Sequence, residues 1–235
     1  MQYGHILNAS LAEGLKLLSR GEFQDVHTSA IAMIKQDVED SVPYFLLGHI
    51  ALEHRNIEKS VSLFKQAAAY DLGNALYHAH WARALTLLNR QTEAHAVAEV
   101  AASCEITDAH TADTIGVVFS RTGFHDLAIN MFEKAVALNP QPANFHFNLG
   151  SSLQFLGDFE RARIAYEAAI ARDTEHVRAW SSLISLSKQS EHDNHLVELA
   201  ALFDRHKKDS DARLHIGHAI AKSYEDLGDY PASFA

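Results

Sequence analysis

The stretches AINMFEKAVALNP (residues 128–140) and ARIAYEAAIARDT (residues 162–174) carry one pattern twice. Ala128 pairs with Ala162, Phe132 with Tyr166 and Ala135 with Ala169, each pair 34 residues apart. Gly116 pairs with Gly150, and Gly123 with Gly157, at the same spacing. Steps of 34 back from Ala128 land on Ala94, Ser60 and Val26, all small or aliphatic. Steps from Ala135 land on Ala101, Ala67 and Met33, and steps from Ile115 join Leu47, Trp81, Leu149 and Leu183. A fixed period of this length marks a repeat architecture, in which each unit buries its apolar face against its neighbours.

Extended along the chain, the register gives repeats near 7–40, 41–74, 75–108, 109–142 and 143–176. An irregular repeat at 177–213 and a partial one at 214–235 follow, so that residues 1–235 read as a single array. Each unit holds two helices. In the fifth, His146, Leu149, Gly150 and Leu153 form the apolar stripe of the first helix. Gly157 suits the left-handed residue that ends a helix, and Asp158 suits the cap of the next. Gly150 and Ala162 let the two backbones approach, while Leu149, Leu153 and Tyr166 fill the space. Pro140 cannot continue a helix and separates two units.

The 34-residue pattern resembles the tetratricopeptide repeat, best at GVVFSRTGFHDLAINMFEKAVALNP and NLGSSLQFLGDFERARIAYEAAIARD. The resemblance implies an all-α fold, a tetratricopeptide-type α-solenoid coiled as a right-handed superhelix of antiparallel helix pairs. It also implies a concave groove, lined by first helices, that binds a protein or peptide segment. Candidate groove residues lie on the stripe each first helix leaves free. In the fifth repeat they are Asn144, Phe147, Ser151, Gln154 and Phe155. His110, Asp113 and Arg121 represent the fourth repeat, Arg83 the third and His49 the second. The Lys and Asn clamp that relatives use for a C-terminal carboxylate is missing. So is an asparagine ladder, because Asn148 has Thr114, His80 and Leu46 at its equivalent positions.

Composition excludes several other classes. Apolar residues make up 47% and charged residues 21%, enough for a packed core. A formal charge of −10 with no basic stripe argues against nucleic acid. No apolar run approaches the roughly 20 residues that span a bilayer, and the N-terminus lacks a signal-peptide pattern. A soluble, cytoplasmic protein with no membrane partner is expected, its oligomeric state open.

The 16 histidines raise a metal hypothesis. The close pairs are His78–His80, His192–His195 and His215–His218, but no cysteine or HExxH pattern completes a ligand set, so no metal is expected. His78 and His146 lie on core stripes and read as packed, hydrogen-bonded rings. Trp81 and Trp180 lie on core stripes too. Cys104, the sole cysteine, reads as a small buried residue late in a second helix. No catalytic residue is assigned within the chain.

The last sixty or so residues, from HVRAW to the end, resemble the junction of bacterial proteins that join tetratricopeptide repeats to a sulfotransferase domain. Ala179, Trp180 and Leu183 carry the resemblance, with Lys222, Tyr224 and Glu225 to Tyr230 in comparable order. It implies a sulfotransferase activity, with phosphoadenosine phosphosulfate as cofactor, only in residues beyond Ala235. In register, Gly228 takes the turn position of Gly123 and Gly157, and Ser233 the small position of Ala128 and Ala162. A seventh pair is thereby begun, so Ala235 reads as a fragment boundary. The alternative is a stand-alone adaptor or assembly scaffold with no enzymatic domain.

Overall fold

The computed structural model describes residues 2–192 and 194–233, with side chains from Leu11 onward. The expectation for Ala235 falls outside the described residues. Fourteen helices and no strand occur among the described residues. In the first half they are α1 (Gln2–Ser19), α2 (Phe23–Gln36), α3 (Ser41–Glu53), α4 (Ile57–Tyr70), α5 (Ala75–Leu87), α6 (Gln91–Ser103) and α7 (Ala109–Arg121). Then come α8 (His125–Leu138), α9 (Ala143–Phe155), α10 (Phe159–Arg172), α11 (Val177–Leu186), α12 (Leu196–Arg205), α13 (Ser210–Leu227) and α14 (Tyr230–Ser233). Two compact units divide them, Met1–Leu127 and Ala128–Ala235.

Within each unit the paired helices α3/α4, α5/α6 and α9/α10 pack most closely. The register explains the fit. Val26, Ser60, Ala94, Ala128 and Ala162 are all buried, as are Ala67, Ala101, Ala135 and Ala169. Opposite them, a Cβ placed on Gly150 would lie 2.8 Å from the Tyr166 ring and 3.2 Å from the Ala162 carbonyl oxygen. A Cβ on Gly48 would lie 2.5 Å from Phe64. Both are too short for ordinary contact, so hydrogen at these positions is a packing requirement.

Turns repeat as faithfully. Positive φ occurs at Gly21, Arg55, Asn89, Gly123 and Gly157, a ladder in the 34-residue register, and again at Gly228. At each, the next residue's N–H reaches back five positions, as from Asn56 to the Ala51 carbonyl and from Asp158 to the Leu153 carbonyl. These bonds satisfy the orphan carbonyls of the first helix. Asp158 then accepts from the Arg161 N–H and caps α10 as expected.

A second ladder pins the loops between repeats. Tyr44 Oη donates to the Val38 carbonyl at 2.9 Å. Two repeats share a histidine version, with His78 Nε2–H donating to Leu72 O at 3.1 Å and His146 Nε2–H to Pro140 O at 2.9 Å. Trp180 Nε1–H donates to Thr174 O at 3.0 Å. In every case the ring donor sits six residues after the acceptor. His78 and His146 match the expectation of packed, hydrogen-bonded rings, Trp180 is buried as its core stripe implies, and Tyr44 is buried with them. Trp81 departs from its stripe and is only half-buried.

The sixth repeat is where the pattern breaks. α11 stops at Leu186, and the described residues 187–192 and 194–195 are non-helical before the short α12. α13 packs against both α11 and α12. It begins at Ser210, about one turn before the expected Leu214, and still ends on the left-handed Gly228. Cys104 also differs from expectation: it follows α6 as its C-terminal cap and is half-buried, because the chain turns extended there.

Candidate functional site

The first unit contains a groove of about 840 Å³. First helices build its floor: Leu11 and Leu15 from α1, Phe45 and His49 from α3, Leu76 and His80 from α5, and His110 from α7. The loops before α5 and α7 supply the rim, with Asp71, Glu105, Ile106 and Asp108. The floor follows the register, since Leu11, Phe45 and Ala79 form one 34-residue ladder, Leu15, His49 and Arg83 another, and Leu76 and His110 a third.

His49 and His80 stand with ring centroids 4.6 Å apart, beside Phe45 and Phe64. Burial pushes the His49 ring down to about 4, and the nearby Arg83 guanidinium adds to the shift. Burial does the same to His80, helped by His49 and Arg83, and holds it well below the ordinary histidine range. Both rings are therefore neutral near pH 7. His49 Nε2 and His80 Nδ1 are buried and have no hydrogen-bond partner among the described residues. At the rim, Asp71 accepts from Asn74 Nδ2, and Asp108 caps α7 through the Thr111 N–H and hydroxyl. Glu105 makes no ion pair or hydrogen bond among the described residues and is exposed.

The structure sorts the ten groove candidates. His49 and His110 line this groove. Arg83 is exposed on α5 and acts on both buried histidines through its charge, Asp113 is half-buried on α7, and Arg121 is exposed at its end. The other five belong to α9, in the second unit. Phe147 is a correction: only 5% is exposed. Its ring packs on Tyr166 and His176, with the Arg178 guanidinium 4.6 Å from its centroid. The cause is its register position, which Phe45 and Ala79 also occupy, and both are fully buried. Gln154 Oε1 accepts from the Tyr166 hydroxyl at 2.7 Å. Asn144 Oδ1 accepts from His176 Nε2–H at 3.0 Å, while His176 Nδ1 accepts from the Ala179 N–H and caps α11. Ser151 is exposed, and Phe155 is 69% exposed.

The rows of groove residues unforeseen from sequence are Leu11, Leu15, Leu76, His80, Ile106 and the acidic rim. One step of 34 back from His110 reaches Leu76, and one from His49 reaches Leu15, so the register held the signal. A shallower depression of about 330 Å³ lies in the second unit, around Asn144, Glu175, His176, Arg178 and His215. Among the described residues no group of three or more His, Cys, Asp or Glu side chains is arranged to hold a metal ion.

Comparison with known proteins fits this architecture. Residues 109–142 and 143–176 match the family model described as tetratricopeptide repeat. Two tetratricopeptide repeats are present. Solved structures extend the likeness in fold. PilF of Pseudomonas aeruginosa aligns with a TM-score of 0.65 at 17% identity, over 98% of this chain and 97% of that one. YrrB, a tetratricopeptide-repeat protein with an unusual peptide-binding site, aligns with a TM-score of 0.58 at 18% identity, over 87% of this chain and 95% of that one. In the Cut9–Hcn1 assembly the match has a TM-score of 0.68 at 16% identity, over 91% of this chain and 43% of that one. No curated protein sequence matches the chain. The fold is therefore an all-α, tetratricopeptide-type repeat solenoid. No helix among the described residues is long and apolar enough to cross a membrane.

Proposed function

We propose that this chain is a protein- or peptide-binding scaffold that receives a partner segment in the groove of its first unit. The observation that carries the reading is the groove itself, an open apolar floor built from four first helices, α1, α3, α5 and α7. Such a concave, largely preformed surface is suited to binding an extended or helical segment. The peptide-binding site of YrrB, a neighbour in fold, supports it. The test is selection of binders from a displayed peptide library. Binders to the native chain should lose affinity when Leu15→Arg and Leu76→Arg fill the floor with charge. Binders indifferent to that double substitution, with the helical fold intact by circular dichroism, would refute the reading.

The finer reading keeps the resemblance of residues 176–235 to a sulfotransferase junction. The shortened α11 and the non-helical residues 187–192 after it support it, since this is where the repeat pattern fails. On that reading the scaffold presents a substrate to a catalytic domain that binds phosphoadenosine phosphosulfate, and this chain carries no catalytic residue of its own. Expression of the full reading frame and assay for sulfate transfer tests it. The stand-alone adaptor is the outcome if no such domain follows. The absence of a nucleic-acid partner, supported by the acidic balance, and a cytoplasmic location stay part of the proposal.

A further inference from the structure

The groove's chemistry narrows its occupant, on the reading that it binds a peptide. We infer that the first-unit groove takes a protein segment presenting aliphatic side chains together with a lysine or arginine. Leu11, Leu15, Leu76 and Ile106 offer only apolar surface to a side chain entering the floor. His49 and His80 beside them are neutral, so they contribute polar atoms without charge. Among the described residues, every formal charge that lines the groove is negative: Asp71, Glu105 and Asp108. No lysine or arginine is among the lining residues. Arg83 is the cation closest in effect, felt by His49 and His80 from α5, and it lies outside that lining.

The three carboxylates are not equivalent. Asp108 spends its acceptors on the α7 cap, and Asp71 holds Asn74, which leaves α5 without a side-chain cap but with a carboxylate beside its positive end. Glu105 alone is uncommitted, on an extended segment above Ile106 in sequence order and open to solvent. A cation seated over the aliphatic floor finds in Glu105 a carboxylate free to pair, while Asp71 and Asp108 add their charge. Electrostatic complementarity of this kind acts mainly on specificity and rate of encounter.

The probes are three leucine-bearing peptides, identical except that the flanking positions are lysine, glutamine or glutamate, measured by calorimetry at low and physiological salt. The lysine peptide should bind at least about tenfold tighter than the glutamate peptide, with the difference shrinking as salt rises. Glu105→Gln should weaken the lysine peptide about two- to fivefold, the range of one exposed ion pair. Glu58→Gln on α4, which changes net charge equally without lining the groove, should leave it unchanged. Equal weakening by both substitutions would show non-specific attraction to an acidic chain and overturn the inference. Equal affinity for all three peptides, each abolished by Leu76→Arg, would overturn the charge preference while leaving the groove reading intact. Tighter binding of the glutamate peptide would overturn it outright. Failure of all three to bind would also overturn it, and the library selection would then decide the broader reading alone.

Discussion

Acidification should destabilise the first unit through His49. Its ring titrates near 4 in the folded chain and near 6.5 when exposed. As pH falls through 6.5 the unfolded chain takes up a proton that the folded chain refuses, so stability is full above that point and is lost on the way down to about pH 4. The full gap is worth about 3 kcal/mol at 1.36 kcal/mol per unit, and about 2 kcal/mol of it is expressed between pH 7 and 4.5. Burial beside Phe45, Phe64 and the His80 ring sets the shift, and the charge of Arg83 reinforces it. The direct assay is a proton NMR titration of the His49 Hε1 resonance, assigned by its loss in His49→Gln. Urea unfolding monitored by hydrogen exchange of α3 and α5 gives the energetic counterpart without assuming that both units unfold together. The native chain should lose about 2 kcal/mol more than His49→Gln over that pH span. A midpoint of 6 or higher, or parallel pH curves for the two proteins, would refute the argument, because either would mean the ring is solvated.

Other substitutions read the repeat ladders. Gly150→Leu should destabilise α9/α10 by about 1–3 kcal/mol, since the Tyr166 ring stands where the new side chain begins, and thermal unfolding would register it. Arg55→Gly should stabilise by about 0.5–1 kcal/mol by relieving a non-glycine residue at φ 57°, seen as a raised denaturant midpoint. Phe147→Ala should cost about 3–5 kcal/mol, as a buried ring's loss does, whereas Phe155→Ala should be nearly neutral in the same melt. Tyr44→Phe removes one loop pin and should cost about 1 kcal/mol, with faster exchange of the amides around Val38.

The repeat register was legible because it is written in residues whose size is constrained. Small residues at the helix crossings and glycine at the turns have few substitutes, so Ala128, Ala162, Gly150, Gly123 and Gly157 announce themselves. Two turns of the ladder were hidden because Arg55 and Asn89 adopt the left-handed conformation without glycine. The loop pins were hidden for a different reason. The chemistry they share is a ring donor, and tyrosine, histidine and tryptophan supply it interchangeably at Tyr44, His78, His146 and Trp180. A scan for identical residues misses such a ladder, although it asks the right question of sixteen histidines. The groove was misjudged at Phe147 because helical spacing gives a face but not its neighbour. A position free on one helix lies against the adjacent first helix, and the small Ala79 at the same register position already marked that crowding.

The same distinction bears on the sixth repeat. Lys222 and Asp226 carry part of the likeness to a sulfotransferase junction, yet both have local work in this fold. Lys222 Nζ donates to the Ser187 carbonyl at 3.0 Å and to Asp226 Oδ2 at 2.5 Å, and the same oxygen accepts from the Gln189 N–H at 2.9 Å. The pair closes the loop that follows α11; burial pushes the Asp226 carboxyl up, but the hydrogen bonds from Lys222 and the Gln189 N–H, with the Lys222 charge behind them, hold it below the usual carboxylate range. The early end of α11 at Leu186 leaves a loop that α13 secures. A sequence that ends α11 early and keeps a Lys and an Asp one turn apart on α13 makes that clamp whether or not a catalytic domain is present. Order of residues in α13 is thus explained by the loop it secures, and evidence for catalysis has to come from residues that touch a substrate.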